Sequence, residues 1–239
     1  MEANFSSFFS LLKLKSQGKY DKKVRLPKYL DKDGYNVISF NQFKKKELKD
    51  GYVTIPKSKT LKFRVKNTNL HFINVVPNND YVQVNFIYKK KEKELKKDNG
   101  KYMGIDLGVD NLATCTSNVI QSFIIDGKRI KHINQFYNKK IGEVKSELKK
   151  KNNKEKSHKT RQLMLKRNNK INDYFHKASR YIINQAVSND VRTIIVGHNK
   201  NWKQEVNIGK VNNQKFVQIP FDKLIHQLKY KGSLEGIAV

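Results

Sequence analysis

The chain has 239 residues, with 50 Lys plus Arg against 21 Asp plus Glu, which gives a formal net charge of +29. This length suits one large domain or two smaller ones. A hydrophobic share of 37% excludes a disordered basic tail. Such a charge is typical of proteins that bind a polyanion, although a lysine-rich, AT-biased genome would also raise it. We therefore expect nucleic acid as the partner, and neither a membrane nor a small-molecule substrate.

The sequence lacks features of two further kinds of protein, those built on disulfides or cysteine-bound zinc and those that are secreted or span a membrane. Cys115 is the single cysteine, which excludes a disulfide framework and a cysteine-based zinc ribbon within these residues. No zinc site is therefore expected in this chain. The opening MEANFSSFFSLLKLKS lacks the basic region and the cleavage site of a signal peptide, and no run approaches a membrane span. We expect a cytoplasmic, nucleoid-associated protein.

The first hundred residues read as one helix followed by short strands. Residues 1–18 predict an amphipathic helix, because apolar side chains recur there at helical spacing: Phe5, Phe8, Phe9 and Leu12. The stretches VISF, GYVTIP, LKFRV, NLHFINVV and YVQVNFIY predict five strands with no helix between them, the last two joined as a hairpin. We therefore predict a small antiparallel sheet or barrel, a β-barrel-like domain, over residues 19–100, whose end (89–100, KKKEKELKKDNG) is a basic linker or an exposed hairpin.

The pattern changes at residue 101. YMGIDLG, NLATCTS and SFIIDGKRIKHI predict three successive strands, the third with a hairpin signal at Asp126 and Gly127. A long helical region with a polar break follows, then the strand VRTIIVG, the helix FDKLIHQLKYKG and a strand start at GIAV. Three antiparallel strands followed by parallel crossovers is the order of the ribonuclease H fold. We predict a mixed α+β and α/β chain with an incomplete RNase H-like (RuvC-like) domain over residues 101–239.

A carboxylate, Asp106, stands in the middle of the first of these strands between Ile105 and Leu107. Burying an unpaired carboxylate is costly, so this position indicates a partner, a metal or a function. Two-metal phosphodiester hydrolysis needs several carboxylates around two Mg²⁺ ions, and Asp106 is placed to be the first. A structural Asp and the phosphate site of an actin-like ATPase are alternatives, although no second glycine-rich hairpin supports the ATPase.

The other acids of such a site are not evident. The fourth strand ends at Gly197 followed by His198, and neither supplies the oxygen ligand that Mg²⁺ prefers. Glu205 lies in a polar loop, and the turn propensity of Asp110 and Asp126 already explains them. Asp106 is thus the only catalytic and metal-binding residue that we predict.

Basic residues with interleaved aromatics form the candidate nucleic-acid contacts. On the long helical segment these are Lys139, Lys140, Lys149, Lys150, Lys151, Arg161 and Arg167. Lys200, Trp202 and Lys203 stand in the loop NKNWKQEVN. Such a stripe neutralises phosphates with a steep salt dependence, and Trp202 can stack on a base. A solvated helix face, and a tryptophan that merely fixes the loop to the sheet, are the alternatives.

Three stretches of the chain carry a family resemblance. GIDLGVDNLAT, FIIDGKRIKHINQFYNKK and IIVGHNKNWKQEVNIGKVNNQKFVQIPFDKLIHQLKYK resemble the OrfB/TnpB family of insertion-sequence proteins. These proteins have long been described as transposases. They are similar to the ancestors of type V CRISPR effectors and have a RuvC-like nuclease domain. The segment SFFSLLKLKSQGKYDKKVRLPKYLDKDGY resembles the N-terminal part of the family, so the resemblance covers most of the chain.

The resemblance implies that Asp106 is the first catalytic acid, that Mg²⁺ is the metal, and that guide RNA and DNA are the partners. Many members carry Glu where this chain has Gly197, and some relatives with a similar glycine supply the Glu further on. That Glu, the third acid and a four-cysteine zinc ribbon would follow GIAV, and members usually have more sequence before SFFSLL. The chain thus resembles a family member truncated at both ends.

We therefore expect a transposon-encoded, nucleic-acid-binding protein without a complete nuclease site. A catalytically inactive RNA-guided DNA-binding protein, acting as a repressor does, is the first alternative. A decayed gene product with no retained role is the second.

Overall fold

A computed structural model describes residues 2–28, 36–78, 81–152, 156–197 and 218–239 of this mixed α and β chain. The chain divides into two compact units, Met1–Lys89 (unit 1) and Lys90–Val239 (unit 2). No helix in the described ranges is long and apolar enough to cross a membrane.

Unit 1 contains two short antiparallel sheets. Its elements are α1 (Glu2–Ser16), β1 (Ile38–Phe40), α2 (Lys45–Lys49), β2 (Tyr52–Thr54), β3 (Lys62–Arg64), β4 (Leu70–Pro77) and β5 (Val82–Tyr88). Strands β1, β4 and β5 form one sheet in the order β1-β4-β5, and β2 pairs with β3 in the other. A small core lies between these elements, formed by Leu48, Val53, Val65, Leu70 and Ile73.

The antiparallel pairing predicted for unit 1 is confirmed, whereas two other predictions for it are wrong. The described residues form two open sheets instead of a closed barrel. Three of the five strands have only three residues, which is too short for the continuous pairing that closes a barrel. The helix α2 also stands between β1 and β2, where no helix was expected. Among the side chains of this helix that the structure describes, only Leu48 is buried, so the sequence has no apolar period to indicate the helix.

Unit 2 is a four-stranded mixed sheet with helices. Its elements are β6 (Tyr102–Leu107), β7 (Asn111–Ser117), β8 (Phe123–Asp126), α3 (Lys128–Asn152), α4 (His158–Ser188), β9 (Thr193–Val196) and α5 (Phe221–Ser233). The strand order is β8-β7-β6-β9. The pairs β6–β7 and β7–β8 are antiparallel, and β9 is parallel to β6. Ala238 forms an isolated parallel bridge with Thr193, which is where the sequence predicted the start of a strand at GIAV.

One face of this sheet carries the core of unit 2. Met103, Ile105 and Leu107 of β6 point into it, because alternate residues of a strand face the same side. Helices α4 and α5 pack against the same core with their apolar stripes, formed by Ile171, Phe175, Ala178, Ile182, Ile183, Ala186, Phe221, Leu224 and Leu228. Cys115 lies in this core, and burial raises the pKa of its thiol to about 12.

The third strand of unit 2 ends earlier than predicted. Strand β8 stops at Asp126 and α3 begins at Lys128, so the hairpin expected at Asp126 and Gly127 is a strand-to-helix junction. The Asp126 carboxylate accepts a hydrogen bond from the Lys128 backbone N–H at 3.0 Å. The Gly127 N–H donates to the backbone oxygen of Asp110 at 2.8 Å. The first bond holds the start of α3, and the second joins Gly127 to the turn between β6 and β7, so a helix begins where a hairpin was expected.

The charged stretch at the start of unit 2 lies along the end of α5. The Lys93 N–H donates to the Ser233 oxygen at 3.2 Å, and the Lys96 N–H donates to the Gly236 oxygen at 3.0 Å. The Lys96 ammonium pairs with Asp190 at 2.6 Å. Within unit 2, residues 90–99 are therefore held to the end of α5 and to Asp190 by backbone and side-chain contacts.

Candidate nucleic-acid interface and the Asp106 position

Asp106 is exposed to solvent, so the sequence argument that it is a buried carboxylate is wrong. Its neighbours Ile105 and Leu107 point into the core, and the pleat of β6 therefore turns Asp106 to the opposite face of the sheet. No desolvation cost has to be offset at this position. A function for the carboxylate thus has to be argued from its surroundings.

The surroundings of Asp106 are set by strand register. Asp106 pairs with Thr114 of β7. On the other side Ile105 pairs with Val196 of β9, so the next step of the parallel register brings Gly197 beside Asp106. The Gly197 N–H donates to the Ile105 oxygen at 2.9 Å. A Cβ at Gly197 would lie 3.6 Å from that oxygen, an ordinary contact, so the position beside Asp106 has room for a side chain and carries none.

Within the described ranges, no three acidic, His or Cys side chains come together as a group that could hold a metal ion. Asp110 forms an ion pair with Lys131 at 2.7 Å, and Asp126 caps the start of α3. His198 and Glu205 lie outside the described residues. At this position the described residues supply one carboxylate, that of Asp106. A single carboxylate does not fit a two-metal site, and we derive no catalytic step from it.

The long helices of unit 2 bring many cations together. Helix α3 carries nine Lys and Arg against two Glu, and in α4 five cations precede the first acid, Asp173. The two helices pack against each other. The Ser157 side chain starts α4 by accepting the Thr160 N–H, and Thr160 bonds back to the Ser157 N–H. We call the cations of α3 and of residues 158–170 the basic helix pair.

Most of the candidate contacts on these helices are available to a ligand. Lys139, Lys149, Lys150 and Lys151 are exposed. Lys140 is half-buried and forms an ion pair with Glu143 at 2.8 Å. Arg161 is also half-buried. The remaining candidates from the sequence lie outside the described residues, namely Lys200, Trp202 and Lys203.

Arg167 is held more firmly than a surface phosphate contact would be. Its Nε donates to Asn134 Oδ1 at 2.7 Å, and one terminal nitrogen donates to the backbone oxygen of Gln218 at 2.7 Å. The other terminal nitrogen donates to Asn168 Oδ1 at 3.0 Å. The guanidinium carbon lies 5.5 Å from the centre of the Tyr137 ring. Burial lowers the pKa of Arg167, and the ordinary value of 12.5 is high enough to keep it cationic at neutral pH.

The sequence analysis did not predict a groove that the structure shows between α3 and α4. Its volume is about 290 Å³, and its apolar walls are Ile133, Phe136 and Tyr137 of α3 and Leu163 of α4. The sequence signal is weak, because these residues are spaced like any apolar stripe that joins two helices. Only the packing shows that Phe136 stays 53% exposed at the groove instead of filling a core.

Comparison with known proteins identifies the family. The OrfB_IS605 family model, described as a probable transposase, matches residues 85–203. The chain belongs to the OrfB_IS605 family. The family resemblance drawn from the sequence is thereby confirmed. The OrfB_IS605 match spans β6 with Asp106, all of α3 and α4, and β9. No curated protein matches the chain.

Two solved structures resemble this OrfB_IS605 member. One is the cryo-EM structure of a Cas12f1–sgRNA–target DNA complex, with a TM-score of 0.42, 16% identity, and coverage of 95% of this chain and 59% of that chain. The other is the cryo-EM structure of a CRISPR–Cas12f ternary complex, with a TM-score of 0.42, 18% identity, and coverage of 71% and 34%. The chain therefore matches 59% of the length of the first protein and 34% of the second.

Proposed function

We propose that this chain is a transposon-encoded, nucleic-acid-binding protein related to RNA-guided, Mg²⁺-dependent DNA endonucleases. The observation that carries the proposal is the basic helix pair. It concentrates cations on two packed helices inside the part of the chain that matches a transposase family. Backbone phosphates are the natural partners of such a surface, because each neutralised phosphate releases counterions. The proposed partners are guide RNA and DNA, and the proposed location is the cytoplasm, in association with the nucleoid.

We also propose that unit 2 is an RNase H-like (RuvC-like) domain. Its strand order supports this, with three antiparallel strands and a fourth strand parallel to the first. In this proposal Asp106, central on the first strand, takes the position of the first catalytic acid and Mg²⁺ ligand. The exposed carboxylate of Asp106 is accessible to a metal ion, which supports that role.

Binding without cleavage is the activity that we propose for this chain alone. Gly197 supports it, because it leaves the neighbour of Asp106 on β9 without a carboxylate. An inactive RNA-guided DNA-binding protein, acting by occupancy, fits this observation better than a complete nuclease does. The test is incubation of the purified chain with its bound RNA and plasmid DNA in Mg²⁺. We expect no cleavage, and cutting that Asp106→Ala abolishes would contradict this part of the proposal.

The binding proposal is tested by the RNA that copurifies with the tagged chain from its host. We expect one RNA, mapping beside the gene or at an element end, to survive a moderate-salt wash and to be identified by sequencing. A variant with Lys149, Lys150 and Lys151 changed to Gln should retain much less of it. Heterogeneous RNA that is lost at low salt from both the wild type and this variant would contradict the proposal and favour a decayed gene product.

A further inference from the structure

The groove between α3 and α4 has the shape and surface of a small ligand site. Its volume of about 290 Å³ is close to the lower end of ligand pockets, roughly 300 Å³. Ile133 and Leu163 form apolar walls, and two aromatic rings, Phe136 and Tyr137, line the same space. The groove is open on one side, and Phe136 keeps 53% of its surface exposed there. An aromatic side chain that is left this accessible is free to stack with a planar ligand.

The charge of the groove points to a phosphate-bearing ligand. Lys166, Arg167 and Lys170 of α4 line it together with the apolar walls. Among the residues that line it, none is acidic. Lys166 and Lys170 are exposed and lie one helical turn apart. Two cations on one face, beside an aromatic wall, match a base flanked by backbone phosphates.

Arg167 forms one wall of the groove, and hydrogen bonds hold its side chain in place. Three of its five N–H groups are used by Asn134, Asn168 and the Gln218 oxygen, as far as the described residues show. These bonds hold the guanidinium over the Tyr137 ring and fix the wall that both residues share. A preformed wall lowers the ordering cost of binding, because these side chains do not have to be immobilised by the ligand.

We propose that the groove takes one unstacked base of a single-stranded nucleic acid, with Phe136 stacking on the base and Lys166 and Lys170 neutralising the flanking phosphates. The inference rests on the proposed nucleic-acid binding and adds to it the strand state of the ligand. A paired base is already stacked inside its duplex and cannot enter the groove. Single-stranded RNA and single-stranded DNA share the required chemistry, and the experiment distinguishes them.

The test compares full-length Phe136→Ala with the wild type and with a control, Met164→Ala. Met164 is an apolar residue on α4 that is 48% exposed and does not line the groove. Three labelled ligands of equal length are used, a single-stranded RNA, a single-stranded DNA and a DNA duplex. Affinity is measured by fluorescence anisotropy at fixed salt. A 2-aminopurine base in each single strand reports stacking directly through its quenching. Circular dichroism melts check that the variants fold.

We expect Phe136→Ala to weaken single-strand binding by about tenfold, because one base loses its aromatic partner. It should relieve the 2-aminopurine quenching and leave duplex binding within about twofold of the wild type. Met164→Ala should match the wild type on all three ligands. Phe136→Trp should restore both affinity and quenching, and it serves as the test if the alanine variant does not fold. The single strand with the larger loss identifies which of the two the groove takes.

Two results would overturn the inference in different ways. If Phe136→Ala binds every ligand as the wild type does, or weakens duplex and single strand equally, the groove is not a base site and nucleic-acid binding still stands. If the wild type binds none of the three ligands even at low salt, the proposed function fails together with the inference. Unchanged 2-aminopurine quenching in a folded Phe136→Ala variant would also contradict the base site.

Discussion

Asp106 illustrates how one strand can hold residues with opposite roles. Met103, Ile105 and Leu107 secure β6 to the core, while Asp106 faces solvent on the other side. Its carboxylate has no burial cost, so neither folding nor pairing requires an acid there. A residue of this kind tolerates substitution with little effect on the fold, and its contribution to stability separates a structural Asp from a functional one.

We therefore expect Asp106→Ala to change the free energy of unfolding by no more than about 0.5 kcal/mol, as is usual for exposed positions. The measurement is urea denaturation followed by circular dichroism. Ile105→Ala is the matched control on the same strand. Ile105 is buried, and its truncation should cost about 2–5 kcal/mol. A loss at Asp106 close to that of Ile105 would show that the carboxylate supports the fold and would weaken its assignment as a metal ligand.

Lys231 is the opposite case, a cation that the fold encloses. It lies on α5 with 4% of its surface exposed. Its ammonium donates to the His176 oxygen at 2.8 Å and to Ser179 Oγ at 2.7 Å. Burial lowers the pKa of Lys231 from 10.5 to about 8, and the nearby positive charge of Arg180 adds to the shift. The described residues offer its ammonium a hydroxyl and a carbonyl and no carboxylate.

This depressed pKa predicts a rise of stability with pH. Between pH 8 and 10.5 the unfolded chain binds a proton at Lys231 that the folded chain has lost. The free energy of unfolding should therefore rise by about 3 kcal/mol across this window relative to Lys231→Met, which has no proton to lose. Urea titrations at several pH values measure it. Lys229→Met, at an exposed lysine on the same helix, should keep the wild-type slope. A parallel pH profile for the wild type and Lys231→Met would contradict the shift.

At the scale of elements, the junction between β8 and α3 determines where the basic helix pair begins. Gly127 is buried at this junction, and a Cβ there would overlap the backbone oxygen of Val109 and lie 2.9 Å from that of Asp110. Only glycine lets the two backbone segments approach this closely. Gly142 in the middle of α3 differs, because a Cβ there would meet nothing within 4 Å.

These two glycines give a matched pair of predictions with opposite signs. Gly127→Ala should destabilise the chain by roughly 2 kcal/mol, because the backbone has to shift to admit the methyl group. Gly142→Ala should stabilise it by about 0.5–1 kcal/mol, since alanine is the better helix former at an open position. Thermal melts of both variants provide the test. A Gly127→Ala variant as stable as the wild type would mean that the junction is looser than its contacts indicate.

The sequence predicts those structural elements whose pattern of apolar residues lies within the element itself. The strands β6, β7 and β9 and the helices α3, α4 and α5 were predicted because each has its own apolar period. The end of β8 was not predicted, because it depends on the hydrogen bond that the Gly127 N–H donates to the backbone oxygen of Asp110, which is distant in the sequence. The exposure of Asp106 and the groove at Phe136 were missed for a similar reason. Both depend on which faces are covered by distant segments, and a single strand or helix does not encode that.

At the scale of the whole molecule, the charge is the dominant feature. Because basic residues outnumber acidic ones by 29, many cations have no acidic side chain in the chain to pair with. The ion pairs of the described residues join mostly exposed partners, which contribute little to stability. Self-repulsion on this scale disfavours the compact state, so the bound polyanion should stabilise the fold. The central claim is that the basic helix pair, more than the charge as a whole, is where that polyanion binds.

The salt dependence of nucleic-acid affinity tests this claim most directly. Two triple variants remove the same amount of charge, one on α3 (Lys149, Lys150 and Lys151 to Gln) and one at exposed lysines of unit 1 (Lys13, Lys15 and Lys19 to Gln). Each phosphate contact contributes about −0.9 to the slope of log K against log salt on duplex DNA. We predict that the α3 variant loses roughly 2 to 3 units of slope and the unit 1 variant less than about 1. Equal losses in both variants would contradict the account, because the charge would then act without a defined site.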